Sequence, residues 1–425
     1  MAHMTNRSAY SMLTERLNQV PQGAPESGLL YDILKMLFSE REAELVALLP
    51  VKPFTAERAA KIWKKNVTES RNILETLASR GILLDNYEDD VQVFSLPPTM
   101  AGFFEFSMMR YRDDIDQEQL ARLFYQYLNV EDDYLRNLFA TSETQLGRAL
   151  INEETLPAGN YMEVLDYERA TGIIKNATHI GIGICYCRHK MEHVGRACDA
   201  PMDICMTFNS SAQSLTKHGI AREVDVAECM DLLQTAYGHN LVQFADNVQE
   251  GVNFICNCCG CCCEAMLAAK RFAFANPVHT TNYIAEVDGD TCTGCGKCVE
   301  VCPVEAMSLV SAGDPHNPKK KKARLNEDLC LGCGVCVRVC DRNSLEMRAR
   351  EKRVITPVNS AHRIVNMAIE KGMLQHLIAD TKALYSHRVM GVILGAILKM
   401  PPVKQAMASR QMRSRYLEWL FRKVY

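Results

Sequence analysis

Nineteen cysteines in 425 residues decide more about this chain than any other feature, because none lies before Cys185 and none after Cys340. Within that window, six of the eight residues from Cys256 to Cys263 (CNCCGCCC) are cysteine. Disulfide scaffolds belong to small secreted domains, and this is a long chain in which no secretory leader is recognised. Clustered thiols in such a chain read as metal thiolates, which persist in a reducing compartment, so a cytoplasmic setting is expected. The length predicts several domains. Charged residues make up 23% and the net charge is −3, a folded composition with no bulk attraction to nucleic acid or membrane. No run of about 18 apolar residues exists to span a bilayer.

The sharpest motif is CTGCGKCVEVCP (292–303), repeated with the same spacing as CLGCGVCVRVCD (330–341). It resembles the C-x2-C-x2-C-x3-C pattern of bacterial two-cluster ferredoxins. The x2 spacings curl the backbone so that three sulfurs converge, while the fourth cysteine starts a helix and points to the partner cluster. The resemblance implies one [4Fe–4S] cluster on Cys292, Cys295, Cys298 and Cys340, and another on Cys330, Cys333, Cys336 and Cys302. Gly294, Gly296, Gly332 and Gly334 would let the backbone approach the inorganic sulfides. Asp341 stands where that family usually has proline. Structural zinc is the competing reading. The run Lys319 to Lys322 in the insertion after the first motif reads as a solvated loop or a docking patch for an acidic partner.

Two further cysteine groups lie upstream. Cys185, Cys187, Cys198 and Cys205 follow the strand-like IGIGI, and four thiols are what one cubane needs. They are read as a third cluster, with Arg188, His189, Lys190, His193 and Arg196 supplying positive charge and N–H donors beside it. In CNCCGCCC, adjacent side chains of an extended segment face opposite ways, so the stretch should divide. Some of Cys256, Cys258, Cys259, Cys261, Cys262 and Cys263 ligate and others face elsewhere. With the upstream group there are ten thiols; two cubanes use eight. The remaining two would bridge a larger or non-cubane cluster, or form a redox dithiol. The alternative is a thiolate cage for zinc or copper. Cys258-Cys259-Gly260 resembles the CCG element of heterodisulfide-reductase catalytic subunits, but occurs once, so no residue is carried over. Cys229, alone in a helix capped by Asp225, reads as core.

The expected fold class is α+β and multidomain. A helical, winged-helix-like region spans 5–112, and a helical linker with a Cys-rich central α/β domain spans 113–285. A ferredoxin-like two-cluster module follows at 286–355, then a basic helical tail at 356–425. Three helices are expected within 42–82, with Thr55 capping the second and Asn66 and Glu69 opening the third. A strand pair then turns at Glu88–Asp90. This resembles the winged-helix fold of bacterial regulators, with Lys64, Lys65, Arg71 and Arg80 as phosphate contacts. The acidic wing tip, Glu88-Asp89-Asp90, argues against DNA binding. Leu120, Leu123, Phe124, Tyr127 and Leu128 mark one helix face in 113–150. Residues 382–425 carry nine basic side chains and one acid, Glu418. They read as a peripheral membrane helix on the inner face, a clamp on an acidic partner, or a helix on the protein's own core.

End to end, the winged-helix-like start, PPTMAGFFEFSMMR (97–110), CYCRHK, DICMTF, ICNCCGCCC and the double motif resemble 4Fe–4S dicluster-domain proteins of anaerobes. That resemblance implies electron transfer and names no substrate. GIGIC lacks the helix-opening glycines of a dinucleotide site, so any hydride donor binds a partner. Three functions compete: an oxygen-sensitive electron-transfer protein serving redox protein partners in an anaerobic complex, an iron–sulfur reductase acting at Cys256–Cys263 on a disulfide or thiol-type substrate, and a redox-sensing winged-helix regulator.

Overall fold

The computed structural model describes residues 8–156, 166–272 and 279–378. They form two compact units. The first takes the described residues up to Ser107, Thr141–Thr144 and those from Ser360; the second takes Met108–Ala140 and Gln145–Asn359.

In the first unit, serine caps open the helices Ala9–Leu17, Gly28–Leu37 and Glu40–Ala47, each accepting a backbone N–H through its hydroxyl. The full reciprocal box joins Ser39 and Glu42. Thr55 caps Ala56–Trp63 and Asn66 caps Val67–Ser79, where only the accepting half of the expected box forms. A three-stranded antiparallel sheet follows, with Val91–Ser95 between Phe54–Thr55 and Leu84–Glu88. Asp89 and Asp90 both take positive φ, the geometry of a two-residue hairpin turn that keeps the strands' twist. Of the four cations considered for phosphate contact, three already meet carboxylates: Lys65 meets Glu69, Arg71 meets Glu57 and Arg80 meets Glu42. The helices Ser360–Glu370 and Leu374–Ile378 complete the unit. The basic segment 382–425 lies outside the described residues. Among the described residues no helix is long and apolar enough to cross a membrane.

The second unit is built on a six-stranded sheet, every pairing antiparallel. In order across the sheet the strands are Gly147–Ala149, Val242–Asp246, Phe254–Cys258, Asp203–Phe208, Ile180–Ile184 and Arg222–Glu223. Ile182, Met206, Phe208 and Ile255 pack with Leu233 and Tyr237 of the helix Val226–Gly238 into its core. Cys229 is buried there, which pushes its thiol up to about 12. Helical structure before the sheet is broken: Gln117–Phe124 runs into a π-helical turn, Tyr125–Val130, and Asp133–Phe139 is separate.

The position of the cysteines follows from strand direction. Ile180–Ile184 and Phe254–Cys258 both run antiparallel to Asp203–Phe208, so they run parallel to each other. Their C-terminal ends share one edge of the sheet, and each leads into a helix, Tyr186–His193 or Glu264–Arg271. Further along the same unit, two antiparallel hairpin-like pairs, Tyr283–Val287 with Leu345–Ala349 and Met307–Ser311 with Lys321–Leu325, frame the short helices Lys297–Glu300 and Val335–Arg338.

Candidate metal centres

The two repeated motifs enclose two cavities. One, of about 210 Å³, is lined by Cys292, Cys295, Cys298 and Cys340, with Leu309 and Ala323 on its apolar side. The other is lined by Cys302, Cys330, Cys333 and Cys336, with Ala285, Met307 and Val335. Each takes three cysteines from one motif and one from the other. Backbone N–H groups already point at sulfur: Ala306 N donates to Cys302 Sγ at 3.1 Å, and Ala323 N to Cys292 Sγ at 3.4 Å. Such bonds stabilise thiolates that carry a cluster's negative charge. Thiol donors, apolar walls and N–H···S bonds together suit a [4Fe–4S] cluster in each.

The motif glycines serve a different contact from the one expected. Gly294 and Gly332 take φ of 68° and 71°, and a Cβ there would sit 2.2 Å from the Lys321 carbonyl oxygen and 2.0 Å from that of Tyr283. They let the cysteine loops press on neighbouring strands. Asp341, the departure from the proline pattern, forms an exposed ion pair with Lys297 of the other motif.

The Cys-rich region is arranged differently. Cys198, Cys259, Cys261 and Cys262 bring their sulfurs within 4.8 Å of one another. Cys198 and Cys259 are 3.6 Å apart, Cys261 and Cys262 3.7 Å, and Cys262 and Cys198 3.9 Å. A hydrogen bond from Cys262, aided by Arg188, holds the Cys259 thiol down at about 4 against the effect of burial.

A second set lies at the two strand ends. Cys187 hydrogen-bonds Cys185 and Cys263, Cys263 hydrogen-bonds Cys258, and Cys258 hydrogen-bonds Cys256. Cys185 and Cys263 are the N-caps of their helices. Hydrogen bonds from Cys187 and Cys258 hold Cys263 well below the ordinary thiol range, and the backbone N–H groups of Met266 and Ala265 add to this. Cys185 is lowered by Cys187 and then by Arg188. Helix N-termini favour thiolate in this way.

The expected foursome of Cys185, Cys187, Cys198 and Cys205 is therefore not assembled. Cys185 and Cys187 join Cys258 and Cys263, and Cys198 joins the CCGCCC loop. Cys205 stays in its strand opposite Gly183, and the register Met206↔Ile255, continued by one residue, sets it across from Cys256. Cys205 lies within the strand Asp203–Phe208, whereas Cys198 lies in the loop before it. CNCCGCCC does divide. Asn257 turns away to hydrogen-bond the Ile204 carbonyl, and the two adjacent cysteines Cys258 and Cys259 go to different sets.

The basic residues of Tyr186–His193 also separate in role. Arg188 is 1% exposed and lies between the two thiol sets. It donates to the carbonyls of Pro201 at 2.9 Å and Asn257 at 2.7 Å. Burial alone would lower its pKa, but the charge of Cys185, Cys259 and Cys258 and a hydrogen bond with Cys198 more than reverse this. Lys190 is fully buried and pairs with Glu264, with Asn129 completing its contacts. Its charge is thus already met. His189 is buried, bonded through Nδ1 to the Met108 carbonyl and through Nε2 to His193; burial lowers its pKa, so it supplies no positive charge to the thiols. The buried Lys190–Glu264 pair had no signal in spacing, since its partners are 74 residues apart.

The CCGCCC loop rests on the two-motif module. A Cβ on Gly260 would lie 2.5 Å from the carbonyl oxygen of Pro303 and 2.9 Å from its Cα. Pro303 directly follows Cys302, which lines the second cavity. Lys270 and Glu305 pair nearby at 3.3 Å.

Residues 291–344 match the 4Fe-4S dicluster domain family. Among curated proteins, none matches the chain. The chain thus carries an iron–sulfur domain at 291–344 and a separate cysteine cluster within 198–262.

Proposed function

We propose that the chain is an iron–sulfur electron-transfer protein in which the two-cluster module exchanges electrons with a metal-bearing Cys-rich domain. In this reading Cys292, Cys295, Cys298 and Cys340 hold one [4Fe–4S] cluster, and Cys302, Cys330, Cys333 and Cys336 a second. A further cluster sits among the strand-end thiols Cys185, Cys187, Cys258 and Cys263. Bound clusters supply one-electron storage. The chain's own residues set the approach: the observation that carries the reading is Gly260 packed against the backbone of Pro303, the residue that follows Cys302 and lines the second cavity with it. Cys295, exposed beside the first cavity, marks the side where a redox protein partner would dock. Arg188 favours the more anionic, reduced state of what the strand-end thiols hold.

The test is iron and labile sulfide per chain on anaerobically purified protein, with EPR of the reduced state. The reading expects a signal that survives Cys292→Ser and Cys330→Ser together. About eight irons per chain and no surviving signal would contradict it. The reductase reading keeps the same centres and requires turnover of a small disulfide by a low-potential donor. The regulator reading is the least supported, since Lys65, Arg71 and Arg80 are engaged by carboxylates and the hairpin tip is acidic.

A further inference from the structure

We propose that Cys198, Cys259, Cys261 and Cys262 bind one tetrahedral zinc ion, distinct from any iron–sulfur cluster. Four sulfurs at about 2.3 Å from one ion lie about 3.8 Å from each other. Of the six separations in this set, Cys198–Cys259, Cys261–Cys262 and Cys262–Cys198, at 3.6, 3.7 and 3.9 Å, match that edge, and the other three lie within 4.8 Å. A cubane asks for something else. Each of its thiolates binds a different iron, so the sulfurs are held apart by the width of the core. The molecule contains its own comparison: among the described residues no other three donors, those of both ferredoxin-type cavities included, lie within 4.8 Å of one another. The same protein therefore has wide thiol sets where the dicluster family match lies, and one compact set outside it.

The electrostatics agree. Zinc held by four thiolates carries a net charge of −2. A partly buried site of that charge is favoured by a nearby cation, and Arg188 faces it through Cys198 and Cys259. Lys190 is not available for the purpose because Glu264 neutralises it. The site is closed, with four protein sulfurs and no open position, which marks it as structural rather than catalytic. Its effect is local shape. It ties the loop before Asp203 to the CCGCCC loop, and so holds the flanking Cys258 and Cys263 toward the neighbouring set. Iron in the Cys-rich domain then belongs to the strand-end thiols alone.

The test is elemental analysis of full-length protein, expressed with both iron and zinc supplied and purified anaerobically, beside Cys262→Ser. The expected result is one zinc per chain in the unchanged protein, its loss in Cys262→Ser, and iron content unaltered. Wild-type protein lacking zinc, or iron that falls by about four per chain in Cys262→Ser, would overturn the proposal. Should Cys262→Ser not fold, cobalt supplied to the unchanged protein decides: tetrahedral thiolate ligand-field bands support the site, and their absence refutes it. Failure of the electron-transfer reading looks different, because it removes the EPR signal that survives Cys292→Ser and Cys330→Ser and leaves the zinc in place.

Discussion

The two-motif module and the CCGCCC loop both gather thiols in fours, and they do so by opposite means. In the module, spacing along the chain sets the geometry: three cysteines of one motif and one of the other line each cavity, and Gly294 and Gly332 let the loops press on flanking strands. In the Cys-rich domain, spacing along the chain says little. Residues more than sixty positions apart meet because two strands end at the same edge of a sheet, and buried charges hold the arrangement. Local rules thus suffice for a cluster-binding repeat, while a site assembled from distant segments depends on tertiary anchors.

That contrast can be broken or sharpened by substitution. The largest effect is expected from Cys330→Ser, which should remove about four irons per chain and leave zinc untouched; elemental analysis reads both. Next comes the anchoring of each region. Glu264→Gln leaves Lys190 buried without its partner and should cost about 3–5 kcal/mol in denaturant unfolding. The corresponding pair in the module, Lys297–Asp341, is exposed, so Asp341→Asn should leave stability unchanged. If both behave alike, the contrast fails. Gly332→Ala forces a Cβ onto the Tyr283 carbonyl at positive φ and should cost about 2–4 kcal/mol, read as a lower melting temperature and poor iron retention. Arg188→Gln strips the Pro201 and Asn257 carbonyls of a charged donor and should cost about 1–3 kcal/mol.

The same contrast explains what the sequence made legible. Helix caps at Thr55 and Asn66 and the hairpin turn at Asp89–Asp90 are local, and their residues announce them. Grouping Cys185, Cys187, Cys198 and Cys205 as one site follows from proximity along the chain. In the fold Cys198, in the loop before the strand Asp203–Phe208, gathers with Cys259, Cys261 and Cys262, while Cys205 lies within that strand. The alternation argument for CNCCGCCC predicts a division but cannot name the partners, since those lie on another segment. The basic run Arg188-His189-Lys190 reads as uniform positive charge in sequence. Folding gives each a different neighbour: thiols, a backbone carbonyl and a carboxylate.

The central claim is that electrons reach the Cys-rich domain through the two-motif module, across the Gly260–Pro303 contact. The direct measurement is freeze-quench EPR of the signal that survives Cys292→Ser and Cys330→Ser, following its reduction by a low-potential protein donor. The account predicts much faster reduction in the unchanged protein than in the doubly substituted one. Equal rates in the two would mean that the module does not feed the Cys-rich domain, and would contradict the account.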